Sequence, residues 1–197
     1  MTFAPDELAA IAGWTKRARP LAGVFYRSVE YRFMDPGDVL SGKGTELYGG
    51  RFAAVGMRAV YLAGSDDTAS REVLARKKRL GNAPQITLAK YPRVVFAVAV
   101  SLQKVVSWLR KPRSKALIQI RESCLSLDDL TRSQQLGQAL FAAGIQGLLF
   151  PSVVGAGRNL IVYVHNCDAS SLALLNADEM RTRMAEIARR SKATRPQ

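Results

Sequence analysis

The chain has 197 residues, 48% of them hydrophobic and 23% charged, which allows one domain with a sizeable core. It holds no apolar run of about 18 residues, and Met1 to Glu7 lack a basic region ahead of an apolar stretch, so neither a membrane span nor a secretory signal is expected. Cys124 and Cys167 have no metal-ligand spacing and make no disulfide framework, as suits reduced thiols in a cytoplasmic protein. The formal net charge of +13 is concentrated: between Arg71 and Arg121 stand thirteen Lys and Arg against one acid, Glu72. Such a block suits nucleic acid, a membrane surface, an anionic small molecule or an acidic protein, and composition does not choose among them.

Pro5 to Ala12 reads as a helix, with Pro near its first turn and acids favouring the dipole. Gly23 to Val29 is β-branched and aromatic and reads as a strand; Arg27 inside it is either a solvent-face residue or a ligand clamp. Met34 to Gly50 is rich in Gly, Pro, Asp and Ser and reads as one long loop of the binding or lid type. Ala59 to Ala63 is the next strand. Ser65-Asp66-Asp67 then caps a helix from Thr68 to Leu80, stopped by Gly81. Glu72 falls at the edge of its inner face, and Arg76, four residues on, gives it the spacing of a surface ion pair.

Gln85 to Ala89 and Val94 to Leu102 are strand candidates, the second apolar on both faces and so central. Trp108 to Lys115 reads as basic and irregular, and Ala116 to Ile120 as a further short strand. Ser126 to Asp129 caps a helix running to about Ala143, with Gly144 as its stop. Gly147 to Phe150 is a strand leading into Pro151-Ser152, and Leu160 to Val164 is another. A last helix spans about Asn176 to Arg190, followed by a frayed basic tail from Ser191 to Gln197. One α+β domain is expected, with strands outnumbering helices.

Familiar catalytic chemistry is largely absent. The only histidine, His165, follows an apolar strand and has no companions for a metal site, so no metal is expected. No Gly-x-Ser-x-Gly elbow accompanies it, no Walker motif occurs, and Gly155-Ala156-Gly157 is too short for a dinucleotide fingerprint. What remains is Tyr48-Gly49-Gly50-Arg51-Phe52, whose glycines permit a close backbone approach and whose arginine suits phosphate or carboxylate.

Phe25-Tyr26-Arg27, then Gly49-Gly50-Arg51-Phe52 with Gly56, then Tyr61-Leu62-Ala63 ahead of a helical Glu72, then Pro151-Ser152 and Asn159 follow one another in an order that resembles the RES domain family. The resemblance covers about Val24 to Val164. It implies the toxin of a bacterial toxin–antitoxin pair, with an ADP-ribosyltransferase-like split β-sheet core and surrounding helices. The chain divides on this reading into an N-terminal helical segment (1–20), the NAD-cleaving domain (21–175), and a C-terminal helix with basic tail (176–197). Four positions depart from the family pattern: Phe52 and Ala53 where it has Trp-Asn, and Tyr163-Val164 where it reaches Asn-Pro.

The resemblance further implies NAD as substrate, consumed by hydrolysis or phosphorolysis to arrest growth, and no metal. Glu72, Arg27 and Ser152 are the catalytic candidates. Arg51, Tyr61, Gly49, Gly50 and Asn159 are the candidates for binding NAD. Glu72 would stabilise the cation that forms on the ribose, the arginines would hold the pyrophosphate, Tyr61 would border the nicotinamide, and Ser152 would bond a ribose or phosphate oxygen. The implied partner is an Xre-type helix-turn-helix antitoxin, through which alone DNA would be met, or an immunity protein. The implied place of action is the cytoplasm of the producing cell or of a target cell. The alternatives are mono-ADP-ribosylation of a protein and a non-enzymatic nucleic-acid-binding role for the basic block.

Overall fold

A computed structural model describes residues 3–79 and 92–193. The expected strand at 85–89, the helix stop at Leu80-Gly81, the Arg76 side chain and the tail beyond Ala193 lie outside them.

The chain opens with helix α1 (Pro5–Thr15), which runs through Gly13 before strand β1 (Arg19–Glu30), longer than its apolar centre suggests. Residues 34–50, expected as loop, instead hold two short helices, α2 (Pro36–Val39) and α3 (Lys43–Tyr48). Asp35 caps the first by accepting from the Gly37 amide, so the turn-forming residues are helix starts rather than open loop. Strand β2 (Ala59–Ala63) and helix α4 (Asp66–Arg79) follow as the sequence predicts, with Ser65 Oγ accepting from the Thr68 amide as the cap.

Strand β3 (Arg93–Ser107) is the long central strand. The expected strand at Ala116–Ile120 is instead part of helix α5 (Lys115–Ser123). Its buried residues, Leu117, Ile120 and the following Cys124, recur at three and four, a helical period and not an alternation. Helix α6 (Thr131–Ala142) ends where Gly144 takes a φ of 69°. Strands β4 (Gly147–Pro151), β5 (Arg158–Tyr163) and the unforeseen β6 (Leu172–Leu174) precede helix α7 (Ala177–Ala193). Among the described residues there are therefore seven α-helices and six strands, reversing the expected excess of strands.

The strands make one mixed sheet in the order β1-β2-β5-β4-β3-β6, and β1 also pairs with β3, so five of them close a ring. The β1–β3 ladder is long, from Arg19 opposite Val105 to Glu30 opposite Arg93. By contrast β1 meets β2 only at Tyr26 opposite Ala63. Strand β4 lies parallel to the end of β3, as the long crossover through α5 and α6 permits.

Burial follows the pleat. Leu160 and Val162 of β5 face a cluster with Phe25, Leu62, Val98 and Leu102. Ile161 and Tyr163, on the other face, join Phe52, Trp108, Leu136 and Phe150 under α1, α5 and α6. Buried on both faces, β5 reads as a continuous apolar run. A smaller cluster of Val29, Val39, Val94 and Phe96 lies beside α2 and α7. No described helix is long and apolar enough to cross a membrane.

Candidate active site

Three of the predicted residues converge on one oxygen. Helix α4 carries Glu72 to the ends of β4 and β5, where its Oε1 accepts from Ser152 Oγ at 2.6 Å and Asn159 Nδ2 at 2.6 Å. The Val153 amide adds a longer contact of 3.4 Å. Among the described residues no hydrogen bond reaches the other carboxylate oxygen. Ser152 is placed by its own amide, which donates to the Gly157 carbonyl, and its Oγ accepts from the Val154 amide at 3.1 Å. The serine hydroxyl thus spends its proton on the carboxylate: it orients Glu72 and is not set up as a nucleophile. Asn159 is buried within β5, between Ala63 and Phe150, which fixes its amide in the same way.

Arg51 sits on the adjoining wall. Its Nη2 donates to the Cys124 carbonyl at the C-terminal end of α5, 2.9 Å away, and its guanidinium lies 5.1 Å from the Phe52 ring centre. A carbonyl at a helix C-terminus carries partial negative charge, so the contact orients the cation without neutralising it. Arg51, Phe52, Trp108, Phe150 and Ser152 share a cleft of about 140 Å³.

The glycines place the arginine. Gly49 has a φ of 65°, in the region that favours glycine, and a β-carbon on Gly50 would stand 2.7 Å from the Tyr61 hydroxyl. Gly50 and Ala53 exchange backbone hydrogen bonds, and Gln134 donates to the Gly50 carbonyl. The peptide groups of Phe52 are gripped from two sides. Its amide donates to Tyr61 Oη at 2.8 Å, and its carbonyl accepts from the fully buried Tyr163 Oη at 3.2 Å. Helix α6 closes on the same carbonyl at Gly137, where a β-carbon would fall 2.0 Å from the oxygen. The structure therefore gives Gly49, Gly50 and the Tyr61 hydroxyl a part in holding the Arg51 loop. Tyr163, one of the departures from the family pattern, joins that grip, and Ala53, another, is fully buried.

Arg27 lies apart from this group. It faces inward on β1 between the buried Phe25 and Val29, opposite Phe96, and its Nη1 donates to the Tyr61 carbonyl at 3.2 Å. Its buried Nε has no hydrogen-bond partner. Burial, and then the neighbouring Arg93, pull the guanidinium down from its ordinary value to about 10. Of the two expected positions for Arg27 the structure shows the inward one, not the solvent face. Gln134, Gly137, Tyr163 and the Cys124 carbonyl had no sequence signal, because their parts depend on packing or on backbone atoms. Both thiols are poor nucleophiles, burial pushing Cys124 and Cys167 up to about 11. His165 is exposed.

No curated protein matches the chain. Among solved structures, the crystal structure of the M. tuberculosis MbcT–MbcA toxin–antitoxin complex is similar to it, with a TM-score of 0.72 and 21% identity over 87% of this chain and 90% of that one. The likeness bears out the α+β single-domain fold. The RES domain model matches residues 24–183, most of the chain. The chain therefore belongs to the RES domain family.

Proposed function

We propose that the protein is a growth-arresting toxin that cleaves NAD at the nicotinamide–ribose bond and is neutralised by a cognate antitoxin. The observation that carries this reading is the Glu72 carboxylate, held through Oε1 by Ser152 and Asn159, with no hydrogen bond from a described residue to its other oxygen. As neutral nicotinamide leaves, positive charge builds on the ribose carbon. A carboxylate already fixed in place stabilises that charge without reorganising. The second oxygen of Glu72, which no described residue bonds, is the one that meets the ribose, by accepting from a hydroxyl and facing the developing cation. Arg51 binds the pyrophosphate beside it, in the cleft it shares with Ser152 above the buried Phe52, Trp108 and Phe150.

The same arrangement serves three acceptors: water, phosphate or a protein side chain. Purified protein incubated with NAD, with and without inorganic phosphate, distinguishes them by product. Free ADP-ribose indicates hydrolysis, a phosphorylated ADP-ribose indicates phosphorolysis, and label on protein indicates transfer. Intact NAD in every arm overturns the enzymatic reading.

The partner reading rests on residues 104–121, which hold six Lys and Arg and no acid. Arg110, Lys111, Arg113 and Lys115 are exposed, and the exposed apolar residues near them, Leu109, Leu125 and Val153, are aliphatic. Single-stranded nucleic acid would use aromatic platforms at such a place, whereas an acidic protein with apolar anchors matches both features. An antitoxin of that character binds across the mouth of the site. Reversing Arg110, Lys111 and Arg113 to Glu is expected to abolish co-purification with the antitoxin encoded beside the toxin while NAD cleavage persists. Unchanged co-purification in high salt and in this variant would place the interface elsewhere.

A further inference from the structure

Two clefts flank Pro151, and the mechanism above uses only the smaller. The larger, of about 460 Å³, is lined by Gly64, Ser65, Thr68, Gly157 and Arg158. Its shape depends on its two glycines. A β-carbon on Gly157 would stand 2.4 Å from Thr68 Oγ1, and one on Gly64 would stand 2.7 Å from the Arg158 side chain. Strand β5 thus meets α4 closely, and Arg158 lies across the opening with its guanidinium 5.5 Å from the Phe25 ring centre. Among the described residues Arg158 makes no ion pair and no side-chain hydrogen bond.

This cleft adjoins the catalytic carboxylate. Thr68 and Glu72 are four residues apart on α4, hence on one face and about 6 Å apart along the axis. Glu72 is therefore linked to both clefts, through Thr68 on its own helix and through its bond to Ser152. Arg27 supports the same assignment from a different element. It follows Phe25 by two residues on the same face of β1, about 7 Å along the strand, and brings a half-buried cation whose buried Nε has no partner among the described residues. Arg158 reaches the Phe25 ring from β5, and Arg27 lies two residues along β1 from that ring.

From this geometry we infer that the Arg158 cleft is a second anion subsite, which takes the adenylate half of the dinucleotide while the aromatic cleft at Arg51 takes the nicotinamide half. The chemistry of each fits its cargo. The small cleft is backed by the buried Phe52, Trp108 and Phe150, whereas the large one offers a cation and the Thr68 hydroxyl, which accepts from Ser65 Oγ at 2.8 Å and keeps its own proton for a phosphate or ribose oxygen. This assignment rests on the NAD reading and adds Arg158 and Thr68 to the binding residues, with Ser65 orienting the Thr68 hydroxyl.

The test compares NAD with nicotinamide mononucleotide, which lacks the adenylate half. Arg158→Gln is expected to raise KM for NAD about tenfold with kcat little changed, and the loss is confined to NAD. Arg51→Gln weakens both substrates. An unchanged KM for NAD, or an equal loss with the mononucleotide, overturns the assignment. Binding is read separately, by titrating AMP into Glu72→Gln protein with and without Arg158→Gln; AMP that fails to bind, or binds both equally, also overturns it. If wild-type protein leaves NAD intact yet AMP binding depends on Arg158, the cleavage reading fails and the subsite stands.

Discussion

Glu72→Gln is expected to slow NAD cleavage by about 10²- to 10³-fold while leaving the fold intact, the scale typical of removing one preorganised charge-stabilising group. The side chain keeps its shape, and an amide oxygen in the place of Oε1 still accepts from Ser152 Oγ and Asn159 Nδ2. What is lost is the negative charge facing the ribose. Glu72→Ala removes the acceptor as well, leaving the Asn159 amide and the Ser152 hydroxyl to find new partners. It is expected to cost on the order of 1–3 kcal/mol of stability beyond its effect on rate. Nicotinamide release by purified protein gives the rate, and denaturant unfolding gives the stability. A Gln variant that unfolds as readily as the Ala variant would mean that the charge serves the fold; a Gln variant with wild-type cleavage would remove Glu72 from the mechanism.

The site was legible wherever its chemistry rests on residue type. A lone acid among thirteen cations, two arginines, and Ser and Asn after a strand are visible as letters, and Glu72, Ser152 and Asn159 meet in space. Arg27 was ambiguous because the side of a strand that faces inward depends on what pairs with it, here Phe96 of β3. The loop from Met34 to Gly50 was misread because its Asp and Gly residues serve equally as turns and as helix starts. The Ala116–Ile120 helix was misread because short apolar runs carry both periods until their neighbours choose one. The grip on Phe52 was out of reach altogether. It joins Tyr61, Gly137 and Tyr163, which are up to 102 residues apart.

Arg27→Met is expected to separate stability from binding. In the folded protein Arg27 brings a desolvated cation to the inward face of β1, near Arg93, with its Nε unpartnered. A buried charge without an opposite partner destabilises a fold, and a flexible apolar side chain of similar length removes that cost. The ligand-free Met variant should therefore be more stable by on the order of 1–3 kcal/mol, which at about 2–4 °C per kcal/mol for a chain of this size is readily seen in thermal unfolding. The gain has a defined pH range. Because the guanidinium is pulled down to about 10 when folded, below its unfolded value, its destabilising effect is complete below about pH 10 and fades as pH rises from there. The difference between variant and wild type should thus be equal at neutral and mildly alkaline pH. If Arg27 meets the ligand, ADP-ribose is expected to reverse the order: by neutralising the cation it should stabilise protein bearing Arg27 and stabilise the Met variant much less. Thermal scans with and without ADP-ribose, made in the Glu72→Gln background so that nothing is turned over, provide the measurement. A Met variant that is less stable without ligand, yet equally stabilised by ADP-ribose, would make Arg27 a structural residue and leave the pyrophosphate to Arg51 and Arg158.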